Sequence, residues 1–342
     1  MPMSQEALVP DQSLVAFLFT QGLAQAGERI QWTPLAGGVS SDIWRVKLPG
    51  RSICIKRALP QLKVSAEWLA PVNRNNYEWA WMKFASQHCP DNVPRPLAQD
   101  ASAGLFAMDF LPPEDHPVWK EQLLAGEVEA TTAQAVGTLL GQLHAASARN
   151  LDIASAFDTI DNFYALRLEP YLVTTAARHP DLSSQLIKLV ARTAGTQHVL
   201  VHGDVSPKNI LIGPKGPVLL DAECAWYGDP AFDLVFCLNH MLLKCLARPD
   251  KRDALIECFQ RLKGAYLRAV NWEDPVELES RAARLLPALL LARVDGKSPV
   301  EYLGNEGAKA MVRSVARQLI LKEARQLDEI AAAWGNEVGP QI

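Results

Sequence analysis

The pattern of apolar and polar positions divides the chain into a strand-rich part and a helical part. The elements predicted before residue 113 are a helix over 14–23, strands over 30–35, 42–48 and 51–57, a helix over 66–87 and a strand over 104–110. Beyond residue 113 helical spacing dominates, and only 199–201, 210–212 and 218–220 have the pattern of strands. The sequence therefore predicts an α+β, two-lobed protein, with a small antiparallel sheet in the N-lobe and a large, mostly helical C-lobe.

The predicted organisation has three parts. Residues 1–29 form an N-terminal helical extension, 30–112 an N-lobe, and 113–342 a C-lobe. The last N-lobe strand runs into Leu111-Pro112-Pro113, where the lobes are predicted to meet.

One strand of the N-lobe carries a lysine with a chemical role. Ile53 and Ile55 share one face of the strand 51–57, so Lys56 must lie on the other face with Cys54. Glu78, in the helix that follows, is a candidate partner that fixes the position of Lys56, although it can also be an exposed helix residue bonded to a neighbour.

A second set of chemical residues lies in the C-lobe, in the stretch His202-Gly203-Asp204-Val205-Ser206-Pro207-Lys208-Asn209. Asn209 follows Asp204 by five residues, and Asp221 comes at the end of the next apolar strand. This is the residue order of a phosphoryl-transfer loop. Asp204 can orient a substrate hydroxyl, while Asn209 and Asp221 offer hard oxygen atoms to Mg²⁺ on the phosphates of a nucleotide.

Weaker signals complete the nucleotide site. Gly37-Gly38-Val39-Ser40-Ser41 can let backbone N–H groups approach phosphates, but Gly-Gly is equally a good hairpin turn. Met108 and Phe110, at the end of the last N-lobe strand, are assigned to the same cofactor site. Lys56 is expected to contact the α- and β-phosphates.

Histidines and acids near the loop receive structural roles. His202 is expected to hydrogen-bond the backbone and shape the loop, and His144 to pack in the interior. Asp233, where a helix begins, is expected to cap it or brace the loop.

Composition narrows the function classes. The chain has 342 residues, 49% of them hydrophobic, and a formal net charge of -4 without a run of Lys or Arg. This argues against a nucleic-acid partner and favours a small molecule. The six cysteines are scattered without a CxxC pair and are expected to be reduced core residues. With no signal peptide pattern, and with apolar runs judged too short to cross a bilayer, we expect a cytoplasmic protein with no membrane partner.

The motifs resemble those of the aminoglycoside phosphotransferase family of small-molecule kinases, which share the protein-kinase-like fold. His202 to Asn209 matches the H-G-D-x-x-x-x-N loop of that family, and Asp221 to Asp233 is similar to its D-x-E-x-x-x-x-G-D-P-x-x-D continuation. The likeness covers roughly residues 30–310. It implies ATP and Mg²⁺ as cofactors and transfer of the γ-phosphoryl group to a hydroxyl acceptor.

A narrower resemblance to methylthioribose kinases begins at Lys56-Arg57-Ala58-Leu59-Pro60. It continues in 67–68, 74–78 and 119–126, but Val205-Ser206-Pro207-Lys208-Asn209 departs from the His-Thr-Gly-Ser type of loop expected there. The short interval from Asp221 to Asp233 leaves little room for a regulated activation loop, which argues against protein substrates.

The resemblance implies an acceptor pocket built from helical insertions. The substrate candidates are Glu223, Trp226, Arg293 and Asp295. Glu223 is equally a candidate for a second metal or for a bracing role, and Arg293 with Asp295 can simply pair and cap a helix end. No acidic cluster near the C-terminus suits a polycationic aminoglycoside, so a sugar-like or polyol metabolite is preferred.

Two other function classes stay open. One is a catalytically silent nucleotide-binding scaffold, against which the intact set of Lys56, Asp204, Asn209 and Asp221 argues. The other is an atypical protein kinase. A homo-oligomer is possible, but nothing in the sequence indicates one.

Overall fold

The computed structural model describes residues 9–35, 41–59 and 72–337, and the chain divides after Pro112 into two compact units. The first unit contains a five-stranded antiparallel sheet with the order β1-β2-β3-β5-β4. Its strands are β1 (Gln31–Pro34), β2 (Ser41–Leu48), β3 (Arg51–Ala58), β4 (Pro96–Asp100) and β5 (Leu105–Asp109). Its helices are α1 (Gln12–Thr20) and α2 (Arg74–His88).

Helix α1, which belongs to the predicted N-terminal extension, packs into the core of the first unit. Asp11 caps its start by accepting the N–H groups of Ser13 and Leu14 at 3.0 and 3.1 Å. Leu14, Phe17 and Leu18 then join one apolar cluster with side chains of β2, β3 and β5. The same cluster takes Ile53 and Ile55, as the alternation along β3 predicted.

The second unit is largely helical. Its helices are α3 (Trp119–Ala125), α4 (Ala130–Ser147), α5 (Leu151–Ala156), α6 (Ile160–Phe163), α7 (Thr174–Arg178), α8 (Ser183–Gly195), α9 (Pro230–Ala247), α10 (Arg252–Ala269), α11 (Pro275–Asp295), α12 (Glu306–Lys322) and α13 (Leu327–Glu337). Its strands form two small antiparallel pairs, β6 (Val199–Val201) with β9 (Trp226–Gly228), and β7 (Ile210–Gly213) with β8 (Gly216–Leu219).

Three elements differ from the sequence prediction. Strand β4 lies where only a proline-rich bend was expected, and β9 was not foreseen. The predicted helix over 162–178 contains a π-helical segment, Tyr164–Val173, with Pro170 inside it. Proline lacks the N–H that an α-helix needs, so a locally wider coil is a natural way to accommodate it.

Helix α9 is the centre of the second unit. It is almost wholly buried, and α10 and α11 pack against it. By length and composition it could cross a membrane, contrary to the expectation that every apolar run is too short, but 89% of it is buried inside the structure. Buried core helices pass the same test, so the helix is weak evidence for a membrane span.

Candidate active site

The first unit brings Lys56 and Glu78 together. Lys56 Nζ lies 2.8 and 2.7 Å from the two carboxylate oxygens of Glu78, and the two side chains are 3% and 4% exposed. Asn75 fixes the helix against the sheet by donating to the backbone oxygen of Gly104 at 2.7 Å. Glu78 is therefore a buried partner of the strand lysine, and the alternative of an exposed helix residue is wrong.

The other predicted nucleotide residues have mixed outcomes. Met108 lies opposite Cys54 in the pairing of β5 with β3, so it shares the face of the sheet that carries Lys56. The ring of Phe110 is covered by the guanidinium of Arg45 at 4.4 Å. Ser41 begins β2 and is 1% exposed. Three further members, Gly37, Gly38 and Ser40, lie outside the described residues.

The loop after β6 is braced by Asp233 at the start of α9. Its two carboxylate oxygens accept the N–H groups of His202 at 2.7 Å and Gly203 at 2.8 Å. His144 Nε2 lies 3.3 Å from the same carboxylate, and its Nδ1 lies 2.8 Å from the hydroxyl of Tyr266. The bracing role predicted for Asp233 and the packed role predicted for His144 are both confirmed.

Gly203 is required at its position in the loop. Its φ is +80°, and a Cβ there would lie 2.6 Å from the backbone oxygen of Cys224. The loop can therefore pass this close to the segment after Asp221 only with glycine.

His202 shapes the loop, as predicted. Its Nδ1 accepts the N–H of Asp204 at 3.1 Å, and its Nε2 lies 3.1 Å from the backbone oxygen of Leu220. Burial lowers the pKa of His202 even though nearby carboxylates act to raise it, so the ring is neutral at pH 7. Both ring nitrogens are occupied by backbone groups, which leaves no nitrogen for acid or base chemistry.

Asp204 is held by two cations. Arg167 Nη2 lies 2.8 Å from Asp204 Oδ2, and Lys208 Nζ lies 3.2 Å from the same oxygen. Arg167 also donates through Nε to the backbone oxygen of Gly203 at 2.6 Å. Burial is the largest single influence and opposes the charge on Arg167, but Asp204 together with smaller contributions from neighbouring groups outweighs it, so the pKa of Arg167 is raised. Both cations contact Oδ2, and among the described residues no hydrogen bond to Oδ1 is found.

Asn209 and Asp221 are tied to the same loop. Asn209 Nδ2 donates to the backbone oxygen of Asp204 at 3.0 Å, which leaves the amide oxygen as a ligand atom. The N–H of Leu220 donates to the backbone oxygen of Asn209 at 2.9 Å and holds the next strand beside it. Asp221 has φ +69°, a conformation rare for residues other than glycine, and such conformations cluster at functional sites.

The oxygen atoms of Asn209 and Asp221 fit Mg²⁺ better than a softer metal. Among the described residues there is no group of three or more His, Cys, Asp or Glu side chains that could hold a metal by themselves. Mg²⁺ does not need such a cage, because it is commonly held by one or two protein ligands together with phosphate oxygens and water. Two oxygen ligands on adjoining segments suit that mode.

The predicted acceptor residues are not brought together as expected. Trp226 is wrong as a substrate contact, because it is 0% exposed and stacks on Phe163 at 4.6 Å in the core. Asp295 is bound by Arg313 and His179 at 2.9 Å, so it serves to join helices. Glu223 is 5% exposed.

Arg293 does not cap a helix end by pairing with its neighbour in sequence. It is 7% exposed and donates through Nη1 to the hydroxyl of Tyr171 at 3.0 Å and to that of Ser298 at 3.2 Å. These partners are neutral and leave the charge of Arg293 uncompensated, so Arg293 remains a candidate for contact with the acceptor.

Arg167 was missed in the sequence. It stands 37 positions before Asp204, in the π-helical segment, and no motif surrounds it. The one local signal is Pro170, which interrupts the helical pattern three residues after Arg167. Such an interruption can mark a π-helical turn, and π-helical turns often occur at functional sites. Two residues of α9, Lys244 and His240, were also passed over, although polar side chains in so apolar a helix are unusual.

Comparison with known proteins gives a consistent result. Residues 31–264 match the family model described as "Phosphotransferase enzyme family". Methylthioribose kinase of Yersinia pseudotuberculosis serotype O:1b (strain IP 31758) is 24% identical over 243 residues, 62% of this chain and 58% of that protein. The alignment thus spans less than two thirds of that relative. Methylthioribose kinase of Bacillus cereus (strain G9842) is 22% identical over 81% of this chain and 77% of its own.

Solved structures share the fold. The amicoumacin kinase hAmiN, in complex with AMP-PNP, Ca²⁺ and Ami, matches with a TM-score of 0.55 at 16% identity, over 93% of this chain and 96% of its own. The streptomycin–ATP–APH(2'')-IIa ternary complex matches with a TM-score of 0.52 at 14% identity, over 92% of this chain and 99% of its own. These likenesses confirm the α+β, protein-kinase-like fold predicted from the sequence.

Proposed function

The chain belongs to the phosphotransferase enzyme family, and from that premise we propose that it is an ATP-dependent kinase of a small molecule. It would transfer the γ-phosphoryl group of ATP to a hydroxyl of a sugar-like or polyol metabolite. The observation that carries the proposal is the arrangement around Asp204, whose Oδ2 is held by Arg167 and Lys208, while no hydrogen bond to Oδ1 is found among the residues that the structure describes. ATP is supported by the nucleotides named with the similar structures.

Asp204 positions the acceptor. The acceptor hydroxyl donates its hydrogen bond to Oδ1 while its oxygen approaches the γ-phosphorus. A bond forms from that oxygen to phosphorus as the bond to the β,γ-bridging oxygen breaks, which releases ADP. The hydroxyl proton passes to Asp204 and from there to solvent. Because the transition state is loose, orientation by a fixed carboxylate contributes more than strong basicity.

The remaining residues bind the nucleotide. Lys56, held by Glu78, would contact the α- and β-phosphates, and a fixed lysine does so without reorganising in the reaction. Asn209 and Asp221 would hold Mg²⁺, which would supply charge neutralisation on the phosphates. Placement in the cytoplasm stays a prediction from the sequence.

The test replaces Asp204 by Asn. ATP consumption is measured against a panel of hydroxylated metabolites that includes methylthioribose, polyols and aminoglycosides. We expect Asp204→Asn to lower kcat by roughly 10²- to 10⁴-fold with the affinity for ATP nearly unchanged, since the lost interaction belongs to the transition state. Asp253→Asn, an exposed carboxylate at 89%, is the matched control and should have full activity.

Three outcomes separate the function classes. Full activity in Asp204→Asn refutes the assignment of the catalytic residue. Binding of ATP without any phosphorylated small molecule favours the silent scaffold. Labelling of a protein from radioactive ATP favours an atypical protein kinase.

A further inference from the structure

A group of basic side chains lies in the second unit, on helices α3, α9 and α11. We define the basic cluster as Lys244 and His240 of α9, Arg293 of α11, Lys120 of α3 and the hydroxylated ring of Tyr302. Lys244 and His240 are one helical turn apart and so lie on the same side of α9. The charges of Lys244, Arg293 and Lys120 all act on His240 and, with burial as the main cause, hold its pKa well below the ordinary value.

Lys244 is the unusual member of the cluster. It is 0% exposed, and its Nζ lies 4.6 Å from the centre of the Tyr302 ring. Among the described residues Nζ has no hydrogen-bond acceptor, although an ammonium group has three donors. A buried lysine without an acceptor is costly, so proteins seldom keep one without a function.

Arg293, on helix α11, is a second buried cation in the described part of the chain with a donor that lacks an acceptor. Its Nε has no acceptor among the described residues. The partners of its Nη1 are the hydroxyls of Tyr171 and Ser298 and the backbone oxygen of Ser298, and none of them carries a negative charge. The N–H of Val300 donates to the backbone oxygen of Arg293 at 2.9 Å, and Tyr302, two residues further on, is the residue whose ring Lys244 contacts, so the same segment adjoins both cations. Two buried cations from different helices therefore have donors left over in one region.

The basic cluster adjoins the catalytic loop. The ring of Tyr171 lies 5.5 Å from the guanidinium of Arg293 and 5.9 Å from that of Arg167, which binds Asp204. Lys208, 3.2 Å from Asp204, also acts on the pKa of His240. The basic cluster is thus connected to Asp204 through two side chains, Tyr171 and Arg167.

We propose that the basic cluster is a subsite for an anionic group of the acceptor, so that the substrate is a small hydroxylated carboxylate or phosphate ester. The proposal rests on the proposed function and names its substrate class. Lys244 Nζ and Arg293 Nε bind the anionic oxygens through charge-assisted hydrogen bonds, while a hydroxyl of the same molecule reaches Asp204. A cationic acceptor is repelled by the same charges.

Glu301 is the internal competitor of this anion. It forms an ion pair with Lys120, and the two side chains are 63% and 30% exposed. Its charge also acts on Lys244. Glu301→Gln removes the competing charge and should tighten anion binding.

The first experiment compares acceptors of matched shape in the ATP-consumption assay. Glycerate is set against glycerol, ribose 5-phosphate against ribose, and choline serves as a cation. We expect product from an anionic compound, with kcat/KM lowered at least about 30-fold by Lys244→Met and by Arg293→Gln. Glu301→Gln should keep or raise kcat/KM, and Lys322→Met, whose side chain is 66% exposed, should not change it.

The second experiment does not depend on catalysis. Binding of inorganic phosphate and of acetate is measured by calorimetry on the Asp204→Asn protein, with and without Lys244→Met. We expect a site that Lys244→Met weakens at least about 30-fold, and the stronger of the two probes identifies the anion class. If Lys244→Met fails to fold, Arg293→Gln gives the same comparison.

The outcomes distinguish the two proposals. Turnover of neutral or cationic acceptors only, unaffected by Lys244→Met, overturns the anion subsite and leaves the kinase standing. Anion binding that depends on Lys244, with no phosphorylated product from any compound, supports the subsite and overturns the kinase. Anion binding identical in both proteins overturns the subsite.

Discussion

Replacing Lys244 by Met should make the protein more stable, which is unusual for a buried residue. Met fills a similar volume without a charge. Burial, with a smaller contribution from the charge of Lys120, lowers the pKa of Lys244 from 10.5 to about 7. At pH 7 this shift corresponds to about 4 kcal/mol of lost stability, since each pKa unit is about 1.4 kcal/mol. The variant also loses the cation–π contact with the Tyr302 ring, which reduces its gain in stability by up to about 2 kcal/mol.

The sign of the pH dependence follows from the same shift. The pKa of Lys244 is lower in the folded than in the unfolded chain, so between about pH 7 and 10.5 the unfolded state binds more protons. The contribution of Lys244 to the free energy of unfolding of the wild type is therefore highest at high pH, where Lys244 is neutral in both states, and it decreases as the pH falls towards 7. The advantage of Lys244→Met should be about 2 to 4 kcal/mol at pH 7 and less than about 1 kcal/mol at pH 10.

Other charges near Lys244 do not reverse this expectation. The charges of Lys120 and Arg293 oppose the protonated form of Lys244, while the charge of Glu301 favours it. His240 is neutral because burial holds its pKa well below the ordinary value, and burial raises the pKa of Cys237 to about 12. Lys244 is thus the cluster member expected to titrate near neutral pH.

The assay is urea unfolding of wild type and Lys244→Met at pH 7 and pH 10, followed by far-UV circular dichroism. Lys322→Met, at an exposed site, controls for the loss of a lysine and should change the free energy of unfolding by less than about 0.5 kcal/mol. If Lys244→Met is destabilised equally at both pH values, the lysine is a structural residue. The argument that its burial serves ligand binding would then be refuted.

Two further predictions concern the braces of the proposed active site. Lys56→Met should destabilise the protein by about 3 to 5 kcal/mol in urea unfolding, because Glu78 is left charged and buried, and the double variant with Glu78→Leu should recover most of that loss. Asp233→Ala removes the acceptor of the N–H groups of His202 and Gly203 and should lower the free energy of unfolding by about 2 to 4 kcal/mol. We also expect kcat to fall for any acceptor. An unchanged kcat would show that the loop does not need this brace.

The sequence predicts best what local order encodes. Alternation along β3 placed Lys56 opposite Ile53 and Ile55, and the spacing of Asp204 and Asn209 marked the loop that the structure braces. Both depend on neighbours within a few residues. The pairing of Lys56 with Glu78 could be predicted because it joins a strand to the helix that follows it in the sequence.

Long-range pairing explains the misses. Trp226 was predicted to touch substrate from the acceptor pocket that the family resemblance implies. Strand β9 has only three residues, and nothing in so short a stretch shows that it pairs with β6 and is buried. Arg167 meets Asp204 only through tertiary folding of a π-helical segment. Lys244 gave a usable signal, since a lysine in a helix buried on all sides needs either a partner or a function.

A buried lysine is better suited than an exposed one to select an anionic acceptor. With a pKa of about 7, Lys244 is about half neutral at pH 7 and so is less costly to bury than a permanent charge such as that of Arg293. An anion beside it favours the protonated form, so binding takes up a proton and creates the ion pair only when the correct ligand is present. A neutral polyol gains no such pair, and a cation is repelled by the charge of Arg293 and by the protonated fraction of Lys244. On this proposal the family fold would fix the chemistry at Asp204, while these side chains of α9 and α11 would set the charge of the acceptor.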